Sequence, residues 1–211
     1  MPVTFDNVGR SHTSGANLSL VFTAAANAAM LIFTVGGSIS AMAYAGVACT
    51  NYTFNAGAGT VQVWVLSAPA SGVNTLSVNG VTGVTNLNAI VTTYTQVKDT
   101  NGFGTAQNTL TTGTVCNLSL SSSTTDLVYL AAWINDNGTA NAHYNGAATL
   151  RASATVSTVT MLVYDITGAA TTSVSASTAT STGFILLGVP LVFSAAAATG
   201  PFNLAMLGAG S

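Results

Sequence analysis

The sequence predicts an all-β, jelly-roll-like antiparallel β-sandwich with an extended C-terminal arm. Three observations carry this expectation. Short runs rich in Val, Ile, Thr, Tyr and Phe recur every ~8 to 15 residues between clusters of Gly, Asn, Ser and Pro, the signature of a sandwich or barrel. Several runs alternate with a period of two: Val61, Val63 and Val65 share one face, and Gln62 and Trp64 share the other. No apolar pattern at 3.6 spacing persists, and Thr, Val, Ser, Gly and Asn, all weak helix formers, dominate.

Taken in chain order, strands are expected at 3–5, 18–24 and 29–35, with Gly36-Gly37 as the turn that follows. Further strands are expected at 39–44, 47–54, 61–66 and 72–78. Asn79-Gly80, flanked by Leu-Ser-Val and Val-Thr-Gly-Val, predicts a type I′ hairpin. The remaining strands are expected at 88–97, 115–120, 126–133, 147–152, 158–166, 171–176 and 183–193. The run from Thr160 to Ile166 is apolar on both faces, as for a strand covered on both sides. No repeat with a period of roughly 20 to 50 residues is visible. Residues 1–193 are therefore read as the sandwich domain and 194–211 as the arm.

Composition limits function. Of 211 residues, three are Lys or Arg and five are Asp, so 4% of the chain is charged, against ~25% in ordinary soluble domains. There is no glutamate. Three cations cannot neutralise the many phosphates from which nucleic-acid affinity comes, so no nucleic-acid partner is expected. A hydrophobic fraction of 49% and a net charge of −2 argue against intrinsic disorder. Weak charge repulsion favours a subunit whose surfaces are committed to partners. The longest apolar run, Gly183 to Ala198, is interrupted by Pro190 and Ser194 and is shorter than the ~20 residues of a spanning helix, so no membrane partner is expected. Residues 17–30 mimic a signal-peptide core but follow Asp6 and a single Arg10, and the amino terminus is expected to be retained.

Few groups are available for chemistry. Cys49 and Cys116 lack metal-ligand spacing and are either two buried thiols or a disulfide. The segment from Trp133 to Gly146 holds Trp133, Asp136, His143 and Tyr144. Either it forms a ligand loop in which aromatic rings stack on a sugar, or Trp133 belongs to the core and the rest is a polar loop. Asp136 with Asn135 and Asn137 resembles a fragment of a calcium loop, without the further acidic ligands such a loop needs. Asp126 and Asp165 lie near strand ends, where turn hydrogen bonds are the ordinary role. Arg10 and Arg151 are expected to form salt bridges with Asp at an interface. No catalytic residue, metal or cofactor is expected.

The order of segments resembles a recurrent β-sandwich module of tailed-phage and bacterial surface proteins. The residues that carry the resemblance are the Tyr44–Val47 turn, Trp64 to Pro69, Val91 to Tyr94, Asp126 to Val128, and Gly188 to Leu191. It implies a structural virion protein, most simply a capsid decoration (cement) protein located on the capsid surface. The expected partners are the major capsid protein and further copies of the chain, as a homotrimer. The alternative is a carbohydrate- or receptor-binding module of a phage fibre or bacterial adhesin. Within the arm, Phe202, Leu204, Met206 and Leu207 are expected to dock on a neighbouring subunit, the other possibility being a last strand on the chain's own domain. Removal of residues 194–211 is expected to abolish binding to undecorated particles in a co-sedimentation assay, and unchanged binding would refute the docking arm.

Overall fold

The computed structural model describes residues 2–56, 59–79, 82, 86–98, 101–135, 143–144, 148–156 and 158–194. It is all-β and sandwich-like. The strands are β1 (Thr4–Thr13), β2 (Leu18–Ala24), β3 (Ala28–Val35), β4 (Ala41–Tyr44), β5 (Val47–Ala48), β6 (Thr50–Ala56), β7 (Gly59–Leu66), β8 (Gly72–Asn79), β9 (Leu87–Thr95), β10 (Gln107–Leu120), β11 (Leu127–Asn135), β12 (His143–Tyr144), β13 (Thr149–Val156), β14 (Val159–Thr167) and β15 (Thr172–Leu191). Every strand pairing among them is antiparallel. The arm residues Phe202, Leu204, Met206 and Leu207 lie outside the described residues.

The strands stack in four layers. An outer sheet of order β2-β8-β4-β5 covers an inner sheet of order β1-β9-β3-β7-β6. Between them lies a core of Leu18, Phe22, Met30, Ile32, Tyr44, Trp64, Leu76 and Val91. The other face of that inner sheet packs on a second inner sheet of order β10-β15-β11-β14-β13. The central core so formed draws Leu31, Phe33, Val63 and Ile90 from one sheet and Ala131, Met161, Val163, Ile185 and Leu187 from the other. The outermost layer is the distal half of the β10–β15 ribbon, which folds back over its own sheet. Cys116, Leu118, Leu120, Val174 and Ala176 then pack on Val128, Leu130, Phe184 and Leu186.

This stacking explains the hydrophobicity of the chain. A strand with one solvated face alternates, as β2 does, whereas every residue of β3 is buried. The same holds over most of β9, β11 and β14. The expectation that the 160–166 run is covered on both sides is met.

The pairings reveal a duplication. In the first unit β3 lies between β7 and β9, and in the second β11 lies between β14 and β15. The β6–β7 hairpin corresponds to the β13–β14 hairpin. The β1–β9 and β2–β8 pairs correspond to the proximal and distal halves of the β10–β15 ribbon. Val97, just beyond β9, bridges Phe193, just beyond β15, so corresponding positions of the two units also meet each other. Two copies of one β unit therefore face each other across the central core. The sequence trace is short: Asn-Leu-Ser-Leu occupies 17–20 and again 117–120.

Several expected boundaries are corrected. The first strand runs to Thr13, well past residue 5, and β10 begins at Gln107, well before 115. The expected strands 171–176 and 183–193 are one strand, β15, because the Ser/Thr-rich stretch between them continues the ribbon through a bend where its register shifts against Gly113 and Val115. Gly80 of the expected Asn79-Gly80 hairpin lies outside the described residues, and the next strand in the chain, β9, belongs to a different sheet from β8. A two-residue hairpin that composition did not announce lies at Ala45-Gly46, where Tyr44 pairs with Val47 and both central residues have positive φ, 50° and 79°, the mark of a type I′ turn.

Gly36 (φ +121°) needs glycine for a different reason, because a Cβ there would lie 1.7 Å from the Asn86 carbonyl oxygen. Gly36→Ala is expected to destabilise the protein by more than about 3 kcal/mol in denaturant unfolding. Gly46→Ala, with no atom near its new methyl, is expected to cost about 1 kcal/mol, the price of the left-handed backbone alone.

Candidate functional site

The residues of the expected ligand loop are not gathered in one place among the described residues. Trp133 lies on β11 and packs against the central core, half-buried, with its ring edge close to Gly183. His143 and Tyr144 form β12, whose partners Ser177 and Ala176 lie in the outermost layer, on the other side of the second inner sheet. Asp136 lies outside the described residues. Cys49 and Cys116 are free thiols in different cores, one between the first two layers and one under the β10–β15 ribbon. Burial pushes Cys49 up to about 11 and also raises Cys116, which keeps both as unreactive neutral thiols near pH 7.

Five of the charged side chains are engaged within the molecule. Asp6, on β1, accepts hydrogen bonds from Ala25 N at 3.1 Å and Thr93 Oγ1 at 2.8 Å. Asp126 accepts from Ser123 N at 2.8 Å and from Phe193 N at 3.0 Å, holding the chain that enters β11 to the end of β15. This agrees with the turn role expected for Asp126. Asp165 differs. Its carboxylate, buried on β14, is held by both Arg151 Nε at 2.6 Å and Arg151 Nη2 at 3.0 Å, a bidentate fork. Arg151 belongs to β13, so this ion pair ties two strands of one hairpin and is not an interface bridge. A register shift between Leu150 and Ala152 turns Arg151 inward. Its guanidinium also lies 4.4 Å from the centre of the Phe5 ring on β1, which joins the two units at their seam. Arg10, on β1, donates from Nη1 to the carbonyl of Ser153 on β13 and makes a second link across the same seam.

Next to this staple the central core holds two phenols. Tyr94 and Tyr129, one from each unit, meet edge to face with ring centres 6.4 Å apart. Burial, then the negative charge of Asp165 and the neighbouring phenol, raise the Tyr94 pKa well above its ordinary value, and burial alone raises that of Tyr129. The hydroxyls of Tyr94 and Tyr129 are both buried without a hydrogen-bond partner. Both remain neutral at ordinary pH. Among the described residues no group of three or more His, Cys, Asp or Glu could hold a metal ion, and no helix is long and apolar enough to cross a membrane.

Sequence reasoning missed the duplication and therefore the seam. The informative signal was the pairing of scarce charges with edge strands: Arg10 on β1 and Arg151 on β13. Arg151→Met leaves Asp165 buried without its cation and is expected to cost about 3 kcal/mol in chemical denaturation. Adding Asp165→Leu to that variant is expected to recover most of the loss, and a double variant as unstable as the single one would refute the account. The sequence matches no protein-family model and no curated protein, and no solved structure matches the chain.

Proposed function

We propose that the chain is a structural subunit of a virion, a capsid decoration protein that buries charge-free sheet faces against neighbouring subunits. The observation that supports this is where the charges are. Among the described residues both arginines and Asp6, Asp126 and Asp165 make hydrogen bonds within the molecule, and the exposed charges Asp6, Arg10 and Lys98 lie on an edge strand or in a loop, while the outer sheet faces carry no charged side chain. On the first outer sheet the exposed positions are Ser19, Val21, Thr23, Val73 and Thr75. Val21 and Val73 are 66% and 69% exposed and lie diagonally across the β2–β8 pair. On the opposite outer layer the exposed positions are Val115, Asn117, Ser119 and Ser173. Soluble monomers guard such faces and their edges with Lys and Glu. Here hydroxyls and β-branched methyls do so, and these lose little on contact with a similar surface.

The duplication adds to this reading. Two outer layers facing opposite ways suit a subunit that bridges two neighbours. A partner interface of this kind depends weakly on salt, since few ions are involved.

Light scattering of the native protein at two concentrations, together with binding to undecorated particles, tests the proposal. The unaltered chain is expected to form a closed oligomer or to bind particles at both low and high salt. The double variant Val21→Lys/Val73→Lys is expected to lose association more than tenfold while its unfolding midpoint stays the same. A monomer that binds no particle, or a double variant that associates as well as the original, would refute it.

A further inference from the structure

The seam between the units opens into a groove of about 390 Å³ lined by Arg10, His12, Asn88, Ser153, Ala154 and Thr155, among others. Its volume falls within the range of small-molecule sites, roughly 300 to 1,000 Å³. Arg10 and His12 are alternate residues of β1 and so share a face, and the β1–β9 register sets Asn88 directly opposite His12. Asn88 is 6% exposed and lines the groove. Arg10 is steadied by its bond to the Ser153 carbonyl and keeps its remaining N–H donors. His12 Nε2 donates to Asn86 Oδ1 at 3.3 Å, which leaves Nδ1 without a protein partner. Among the described residues no carboxylate lines the groove.

The duplicated fold supplies an internal control. Arg10 pairs with Ile90 and His12 with Asn88. At the corresponding places of the second unit, Leu110 pairs with Ile185 and Thr112 with Gly183. The unit thus builds the same strands with Leu, Thr and Gly where the first copy carries Arg, His and Asn, so the polar set is not required by the fold.

We propose that this groove binds a sugar acid. The guanidinium of Arg10 takes the carboxylate, and the imidazole of His12, the carboxamide of Asn88 and the hydroxyls of Ser153 and Thr155 take ring hydroxyls. This role is independent of decoration, because it uses the seam and not the outer faces.

The test is a titration of the full chain, followed by amide NMR shifts, with glucuronate, glucose, acetate and inorganic phosphate as separate probes. Glucuronate is expected to shift amides of β1, β13 and Asn88 at millimolar concentration, with acetate weaker and glucose weakest. Arg10→Leu, the residue found at the corresponding place of the second unit, is expected to weaken glucuronate binding at least about tenfold in the folded protein, beyond any loss of stability from its bond to the Ser153 carbonyl. Should that variant not fold, His12→Thr serves the same purpose with a smaller loss. Absence of shifts along the seam, equal shifts with phosphate, acetate and glucuronate, or undiminished binding by the folded variant would each overturn the proposal.

Discussion

The central core between the two inner sheets is the constraint on which the rest of the molecule depends. Each inner sheet has an outer layer on one face and the other inner sheet on the opposite face, so four strands at the middle have almost no solvated residues. Such strands cannot carry Lys or Glu on either side. The low charge of the whole chain is in part a consequence of stacking four layers within so short a sequence. Residues that reach solvent lie on the outer layers, at the edges of the inner sheets and in the turns, and among the described residues every charge but Asp165 lies at an edge or in a turn or loop.

Within that core the polar groups are few and specifically placed. Asp165 is the one carboxylate on a fully covered strand, and the bidentate fork from Arg151 makes its burial tolerable. Arg151 in turn stacks on Phe5, so a single guanidinium joins a hairpin of the second unit to the edge strand of the first. Tyr44 solves the same problem with the backbone: its hydroxyl, in the other core, donates to the carbonyls of Phe22 and Gly72 at 3.0 and 3.2 Å. Gln62 does so as well, its side-chain oxygen accepting from Ile39 N at 3.0 Å. Tyr129 and the indoles of Trp64 and Trp133 lack such partners. The rings are retained there for the volume they fill between sheets, at the expense of a polar atom.

What the sequence showed and what it hid follow from these physical roles. Strand existence was legible, because period-two runs such as 61–65 announce a pleated surface whatever the tertiary context. The covered character of 160–166 was legible too, since both faces were apolar. Strand length was not, where Ser, Thr and Gly carry a strand on a solvated ribbon, as in 107–114 and 177–183: those residues also make loops, and only cross-strand pairing separates the two. The hairpin at Ala45-Gly46 was hidden because alanine at positive φ is rare. The duplication escaped because the two copies conserve burial and pairing but few residues. The groove escaped with it, since Arg10, His12 and Asn88 become neighbours only when β1 is known to pair with β9 as far as Thr13.

The balance between hydroxyl and charge bears on what such a surface can do. A lysine or glutamate on a sheet face keeps a monomer soluble because its hydration is costly to remove. A Ser or Thr gives up far less on burial and can regain it by bonding to the facing surface. When the ionic groups are drawn inward to staple two halves of a molecule, the faces left outside become both weakly self-repelling and cheap to desolvate. A free monomer with such faces is poorly protected, whereas a subunit fixed in an assembly needs no further protection. The seam is the exception, since Arg10 and His12 keep more strongly hydrated N–H donors at the surface than the hydroxyl faces do. An association through the outer sheets would therefore leave the groove open, and binding there would remain possible in the assembled state.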